Sequence, residues 1–308
     1  MKIFLLSPIA HTLLTESQIS LLQQAGDLHI ITDVKPLGDI SELFEGDEPR
    51  ILAVDPDFCN WAIPDDIIDR MPNLQAVCLQ TTSFSWIDVD HARQKGVTVT
   101  NLRGFSSTAV AEWATMVTLA LARKLPVVMK DGWKIDFKNH QGIELRGKTA
   151  GIIGLGRIGT KIAENMAGLG MNVQYWSKNS RDERFNNVSL DELFKTSDVI
   201  LPAFANSQET SELITESMVA SIKPSAIVMS IVHPVHHETL LNRAAAGQLY
   251  GYGFEEEGDT PFGQHSGNVW NGPALAWCTD QSMSNNADQW VTSIIDASKS
   301  SFPTAVNG

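Results

Sequence analysis

Residues 149–181 restrict this chain more than any other stretch. The run Thr149-Ala150-Gly151-Ile152-Ile153 is followed by glycines at 154, 156 and 159. A short apolar run stopped by glycine reads as a buried strand. Ile158, Ile162, Met166 and Leu169 then recur at helical spacing, and Gly170 is placed to cap the C-terminus of that helix. A second strand is predicted over 172–176. Between a strand and a helix, each of the three glycines has a physical use. Gly154 permits a tight turn, Gly156 lets backbone approach a diphosphate, and Gly159 lets the helix pack close to the strand. The N–H groups that open the helix would hold the phosphates. The stretch predicts a dinucleotide site.

The residue ending the second strand decides which dinucleotide fits. An Asp or Glu about 20 residues on accepts hydrogen bonds from the ribose 2′-hydroxyl of NAD. Here the position is Ser177, followed by Lys178, Asn179 and Arg181. No carboxylate stands there to repel a 2′-phosphate, and two cations are at hand to pair with it. The expectation is NADP(H) preferred, with NAD(H) as the second option. The plainer alternative is that Ser177 caps a turn and the cations are solvated surface.

At 308 residues, length predicts about two domains. Residues 1–101 alternate strand and helix signals, with strands expected at 2–7, 28–32, 50–55, 74–80 and 97–101. Thr15 with Gln18 makes a capping box, and Pro64-Asp65-Asp66 opens another helix. A long helix is predicted from about Ser106 to Lys124, then an arm or connector over 126–147. Further strands are expected at 199–204, 226–232, 251–254 and 274–279, with the rest of 250–272 as loop. A tail helix from Asn285 to about Ser298 is placed to cross back onto the first domain. The fold class is therefore α/β: two Rossmann-like, doubly wound parallel-sheet domains with a ligand cleft between them.

The net charge of −13 argues against nucleic acid and anionic membrane surfaces as partners. No apolar run approaches transmembrane length, and the apolar N-terminal stretch is too short for a signal peptide. Cys59, Cys78 and Cys278 show no metal-ligand spacing and read as small core residues in a reducing cytoplasm.

The pattern Ala109-Val110-Ala111-Glu112-Trp113, then Leu145-Arg146-Gly147-Lys148 leading into the glycine bend, then Gly170-Met171-Asn172-Val173, resembles the D-isomer-specific 2-hydroxyacid dehydrogenase family. Asp191-Glu192-Leu193, Ser197-Asp198-Val199, Glu209-Thr210 and Met218 through Lys223-Pro224 continue it in order. The resemblance implies a flavodoxin-like substrate-binding domain of residues 1–101 plus 285–308, and an NAD(P)-binding domain of 102–284. It implies a homodimer and reversible hydride transfer on a small 2-keto or 2-hydroxy acid. It extends the cofactor-binding set to Arg157, Ile158, Ala203, Phe204, Thr210, Ile231 and Val232. It puts Thr81, Thr82 and Ser83 where the family has a glycine-rich substrate loop.

The family's three catalytic residues are replaced. The substrate-gripping arginine falls on His233, the acid/base histidine on Gln281, and the glutamate that orients it near Thr260. Histidine lacks the charged planar fork of arginine, and glutamine donates a hydrogen bond but delivers no proton. Glu255, Glu256 and Glu257 end the strand before the loop, and His265 lies within that loop. Either these groups rebuild an acid/base pair, with Glu255 in the site, or the run is a solvated face. His236 and His237 read equally as the start of a helix. With no zincin helix around His233, His236 and His237, no metal is expected. The reading is an NAD(P)-dependent oxidoreductase with altered catalytic residues, acting on a small carbonyl, imine or non-carboxylate substrate. The alternatives are a catalytically silent NADP(H)-binding sensor or scaffold, and a standard 2-hydroxyacid dehydrogenase in which His265 is the acid.

Overall fold

The computed structural model describes residues 1–204, 210, 212–232, 236–256, 258 and 260–307. The chain divides into two compact units, Met1–Ser106 with Thr279–Gly308, and Ser107–Cys278.

In the first unit, β1 (Lys2–Leu6), β2 (Asp27–Ile31), β3 (Arg50–Val54), β4 (Leu74–Leu79) and β5 (Thr98–Thr100) form one parallel sheet in the order β2-β1-β3-β4-β5. Helices α1 (Ala10–Leu13), α2 (Glu16–Ala25), α3 (Asp65–Arg70) and α4 (Val89–Gln94) connect the strands. Alternate residues face opposite sides of a strand. Phe4, Leu6, Leu52, Val54, Val77 and Leu79 therefore join one core, and Ile3, Leu5, Ile51, Ala53, Ala76 and Cys78 the other. Because both faces are covered, these strands read as continuous apolar runs. Thr15 and Gln18 make the expected capping box. Arg50, at the start of β3, is fully buried and donates to the carbonyls of Leu43 and Gly46.

The second unit opens with α5 (Ser107–Ala122) and α6 (Leu125–Lys130). The predicted connector thus contains a helix. Lys124 in the left-handed region breaks α5, and Pro126 in the first turn restarts the chain. Then come β6 (Thr149–Ile153), α7 (Arg157–Gly168), β7 (Asn172–Trp176), β8 (Asn186–Asn187), α8 (Leu190–Thr196), β9 (Val199–Pro202), α9 (Glu216–Ser221), β10 (Ile227–Met229), α10 (His237–Ala245), β11 (Gly251–Glu256) and β12 (Val269–Pro273). All seven strands are parallel, in the order β12-β11-β10-β9-β6-β7-β8. The strand order reverses between β6 and β9, the crevice where doubly wound sheets bind ligands.

Three expectations need correction. The last strand is 269–273, inside the expected loop, and 274–279 is not a strand. Asn268 and Asn271 look like turn residues, but both are buried and hydrogen-bonded. Asn268 donates to the carbonyls of Leu121 and Tyr250, and Asn271 to Glu256 Oε2 and the Pro261 carbonyl. The tail helix, α11 (Asp280–Ser298), starts earlier than 285 because Thr279 and Ser282 form a capping box. It packs in the first unit, where Trp290 is fully buried and donates to the Cys78 carbonyl. Of the three cysteines only Cys78 is buried; Cys59 is half-buried and Cys278 exposed.

Below β6 and β9, Asp198 accepts from Lys223 Nζ at 2.7 Å and from the Thr149 amide at 2.9 Å. Burial favours the neutral carboxyl, but the Lys223 hydrogen bond and charge and the Thr149 amide outweigh it, so its pKa lies below the ordinary value. A depressed carboxylate pKa stabilises the fold above the unfolded-state pKa, and that gain disappears as pH falls through the folded one. Asp198→Asn is therefore expected to cost about 1 kcal/mol at neutral pH, discounted for partial exposure. The gap between the two proteins should close in acid, as read by denaturant titration at several pH values.

Candidate active site

The glycine bend has the geometry its sequence predicts. Gly154 has φ +95°, and a Cβ there would lie 3.0 Å from Phe204 backbone atoms. A Cβ on Gly159 would sit 1.9 Å from the Gly154 carbonyl oxygen and 3.5 Å from Ala203 Cβ. Helix and turn therefore meet as closely as backbone allows. Gly156 differs, since nothing lies within 4 Å of where its Cβ would be. It is the exposed N-cap residue of α7, and no side chain caps that helix. The bend thus presents open space against an uncapped helix N-terminus, which is the arrangement that receives a diphosphate. Arg157 is exposed and Ile158 half-buried in the first turn.

At the end of β7, Ser177 is buried and its Oγ accepts from the Ser180 amide at 3.3 Å. Arg181 folds against this loop, donating to the carbonyls of Ser177 at 2.7 Å and Ser180 at 2.8 Å. Lys178, Asn179 and Arg181 are exposed. The nearby carboxylate of Asp182 is turned toward Arg184, which also binds Glu164. The serine cap and the cationic loop are present together, so the two readings of Ser177 are not exclusive. The Asp182–Arg184–Glu164 network was missed by sequence reasoning, and it removes the closest acid from the ribose end.

The carboxyl ends of the neighbouring strands carry the other predicted residues. Ala203 and Phe204 follow β9, and the Ala203 amide donates to Ile153. Thr210 is half-buried, and its carbonyl accepts from the Leu213 amide. Ile231 and Val232 follow β10 and are half-buried. His233 and Glu257 lie outside the described residues. His236 and His237 do start a helix: His236 Nε2 lies 2.8 Å from the Ile214 carbonyl, and His237 Nδ1 lies 3.0 Å from the Tyr252 hydroxyl.

At the end of β11, Glu255 and Glu256 are half-buried rather than a solvated face. Glu255 Oε1 accepts from the Ala276 amide at 2.7 Å. Burial pushes its pKa up, opposed by the amides of Ala276 and Leu275. Glu256 lies 3.6 Å from His265 Nε2, and the His265 ring meets Phe254 edge-on. In the first unit, Thr81, Thr82 and Ser83 follow β4. The carbonyls of Thr81 and Thr82 accept from the Leu102 amide and Asn101 Nδ2, and that of Ser83 accepts from Trp86 Nε1. Gln281 is exposed in the first turn of α11. Among the described residues, no three His, Cys, Asp or Glu side chains converge as a metal site.

The sequence profile of the NAD-binding domain of D-isomer-specific 2-hydroxyacid dehydrogenases matches residues 115–262. The match covers just under half of the chain and is to the NAD-binding domain of that dehydrogenase family. The match takes in the glycine bend, the basic loop and the Glu255–Glu256 strand end. A glyoxylate reductase of Thermococcus gammatolerans is 31% identical over 217 residues, covering 63% of this chain and 64% of that protein. A hydroxypyruvate reductase of Thermotoga maritima is 32% identical over 197 residues, covering 62% and 64%. These alignments thus span just under two thirds of the relatives' length. Among solved structures, an acyclic imino acid reductase in complex with NADPH and D-Arg has a TM-score of 0.83, covering 99% of this chain and 100% of that one at 24% identity. D-2-hydroxyisocaproate dehydrogenase gives 0.79 at 21% identity over 100% of both chains. At those identities the likeness to solved structures is one of fold.

Proposed function

We propose that this chain is a member of the dehydrogenase family and an NADP(H)-preferring oxidoreductase acting on a small carbonyl or, better, an imine. The observation that carries the reading is the open Gly156 face at an uncapped α7 N-terminus, in a unit whose 177–181 loop carries Lys178 and Arg181 and no carboxylate. The amides of Arg157 and Ile158 would hold the diphosphate and Arg181 the 2′-phosphate, with NAD(H) bound more weakly. Ala203, Phe204, Thr210, Ile231 and Val232 would line the rest of the nicotinamide dinucleotide. When bound, the nicotinamide supplies or accepts the hydride.

The residues this chain has in place of the family's acid/base set favour one substrate class. Reducing a carbonyl needs a proton for the developing alkoxide, a task worth ~10²–10⁴ in rate when a side chain performs it. Gln281 donates a hydrogen bond and no proton. An imine is basic enough to arrive already protonated, so its reduction depends less on that group. Glu255 and Glu256 favour a cation over a second carboxylate. The imino acid reductase of the same fold supports this choice. Thr81, Thr82 and Ser83 are proposed to contact the substrate, with His233 and Glu255 in the site.

The protein is further proposed to act as a cytoplasmic homodimer. Met116 and Leu119 on α5, with Trp133, Ile135 and Phe137 in the arm, expose apolar surface that a second copy would cover. Among the described residues no helix is long and apolar enough to cross a membrane.

The test is absorbance loss of NADPH and NADH with panels of keto acids, aldehydes and imines. Turnover of an imine or a non-carboxylate carbonyl with NADPH is expected. A kcat/KM of ~10⁴ M⁻¹s⁻¹ or more on glyoxylate or hydroxypyruvate would contradict the substrate class. Tight NADPH binding with no turnover across all panels would leave a silent sensor or scaffold instead.

A further inference from the structure

The loop that leaves β7 carries acids as well as cations. Lys178 and Arg181 are followed directly by Asp182 and Glu183. Asp182 stands one Cα step, about 3.8 Å, beyond Arg181. A carboxylate within a Debye length, about 8 Å, of a 2′-phosphate repels it. The Asp182 charge must therefore be cancelled if Arg181 is to attract that group.

Arg184 cancels it. Its Nε donates to Asp182 Oδ1 at 3.0 Å and its Nη2 to Oδ2 at 2.6 Å, the two-pronged fit of a guanidinium on a carboxylate. Its backbone amide also donates to Asp182 Oδ1, at 3.0 Å. Its Nη1 donates to Glu164 Oε1 on α7 at 2.8 Å. One guanidinium thus holds two carboxylates. The Asp182 carboxyl lies below its ordinary pKa because the Arg184 side chain and amide both donate to it. The backbone is fixed too: the Asp182 amide donates at 3.0 Å to the hydroxyl of Tyr175, which is buried on β7. An isolated surface ion pair does little, but this one is bidentate, shared with a second acid and tied to the sheet. From Ser177 to Arg184 the loop sets Lys178, Arg181 and Arg184 against Asp182 and Glu183, so it is net positive only while Arg184 is present.

We propose that Arg184 sets the coenzyme preference without touching the coenzyme: by gripping Asp182 and Glu164 it keeps both carboxylates from opposing a 2′-phosphate and from accepting a ribose 2′-hydroxyl. This rests on the NADP(H) reading and deepens it, since Arg184 then acts through Asp182 as a positioning residue within the second unit.

Fluorescence titration of the full chain with NADPH and with NADH tests this. Arg184→Ala is expected to lower the ratio of NADPH to NADH affinity about tenfold, the effect of one charge partly screened at the surface. NADH itself should bind as well as before or better, which damage to the loop would not produce. Arg184→Ala with Asp182→Asn should return the ratio to within about threefold of the wild type, because the two residues act on one path. Arg184→Lys keeps the charge without the fork and should fall between Arg184→Ala and the wild type. Titration of the Asp182 carboxyl by NMR, with no coenzyme present, should move to higher pH in Arg184→Ala.

An unchanged ratio in Arg184→Ala overturns the proposal. So does equal weakening of both coenzymes, which would make Arg184 a brace for the loop and nothing more. Failure of Asp182→Asn to restore the ratio overturns it too. If the wild type prefers NADH, the NADP(H) reading falls, while a lower ratio in Arg184→Ala still supports the role of Arg184. If the wild type binds neither coenzyme, that reading and the proposal fall together. The Asp182 titration then shows by itself whether Arg184 grips the acid.

Discussion

Gly156→Ala should leave the fold intact and weaken NADPH binding at least about tenfold, equivalent to ~1.4 kcal/mol. Gly156 has φ −80° and ψ −165°, which alanine adopts without strain, and no atom lies within 4 Å of its Cβ position. The protein therefore has no reason to object to the methyl group. A bound diphosphate does, since that space is the face it would approach. Gly159→Ala should do more. Its Cβ would sit 1.9 Å from the Gly154 carbonyl, so the bend must open or α7 must move away from β6. Overpacking of this kind costs about 1–3 kcal/mol, occasionally more, and here it also destroys the binding geometry. Gly168→Ala, in the same helix with nothing near its Cβ, is the control and should be neutral or stabilising. Thermal melts and NADPH titrations of the three variants separate a bend that is merely tight from one shaped for a ligand. If Gly156→Ala binds NADPH like the wild type, the diphosphate does not lie on that face.

Ser177→Asp should reverse the coenzyme preference. The side chain at this position ends β7 and is 8% exposed, and its Oγ already serves the Ser180 amide. An aspartate there keeps that bond and adds a charge that repels a 2′-phosphate and accepts from a 2′-hydroxyl. The ratio of NADPH to NADH affinity is expected to fall on the order of 100-fold, about 2.7 kcal/mol. Arg181→Ala should act on one side only, weakening NADPH about tenfold through a lost charge-assisted contact while leaving NADH nearly unchanged. An Arg181→Ala variant that loses both coenzymes equally would mean that the guanidinium only braces the loop through the Ser177 and Ser180 carbonyls.

The difference between the legible and the hidden parts of the chain is physical. The interior strands of both sheets announced themselves because helices cover both faces, so Ile3–Leu6, Ile51–Val54 and Ile152–Ile153 are apolar at every position. The three glycines were legible from their spacing, although only Gly154 and Gly159 are needed by their own backbone neighbourhood. β12 was hidden because an edge strand with Asn271, Gly272 and Pro273 uses turn-forming residues, and the Asn271 side chain is satisfied by distant partners. The start of α11 was hidden because Thr279 and Ser282 cap it with two small hydroxyls, not the usual Glu or Gln at the third position. The Glu255–Ala276 bond joins residues 21 apart and uses a backbone amide. No side-chain pattern records it.

We propose that the 154–159 bend grips the diphosphate of a nicotinamide coenzyme while the Ser177–Arg181 loop receives its 2′-phosphate. A crystal structure of the protein saturated with NADPH tests it directly. Diphosphate oxygens are expected within hydrogen-bond distance of the Arg157 and Ile158 amides, packed over Gly156, with the 2′-phosphate beside Arg181. Density for the coenzyme elsewhere on the protein, or a 2′-phosphate pointing away from Arg181 into solvent, would contradict it.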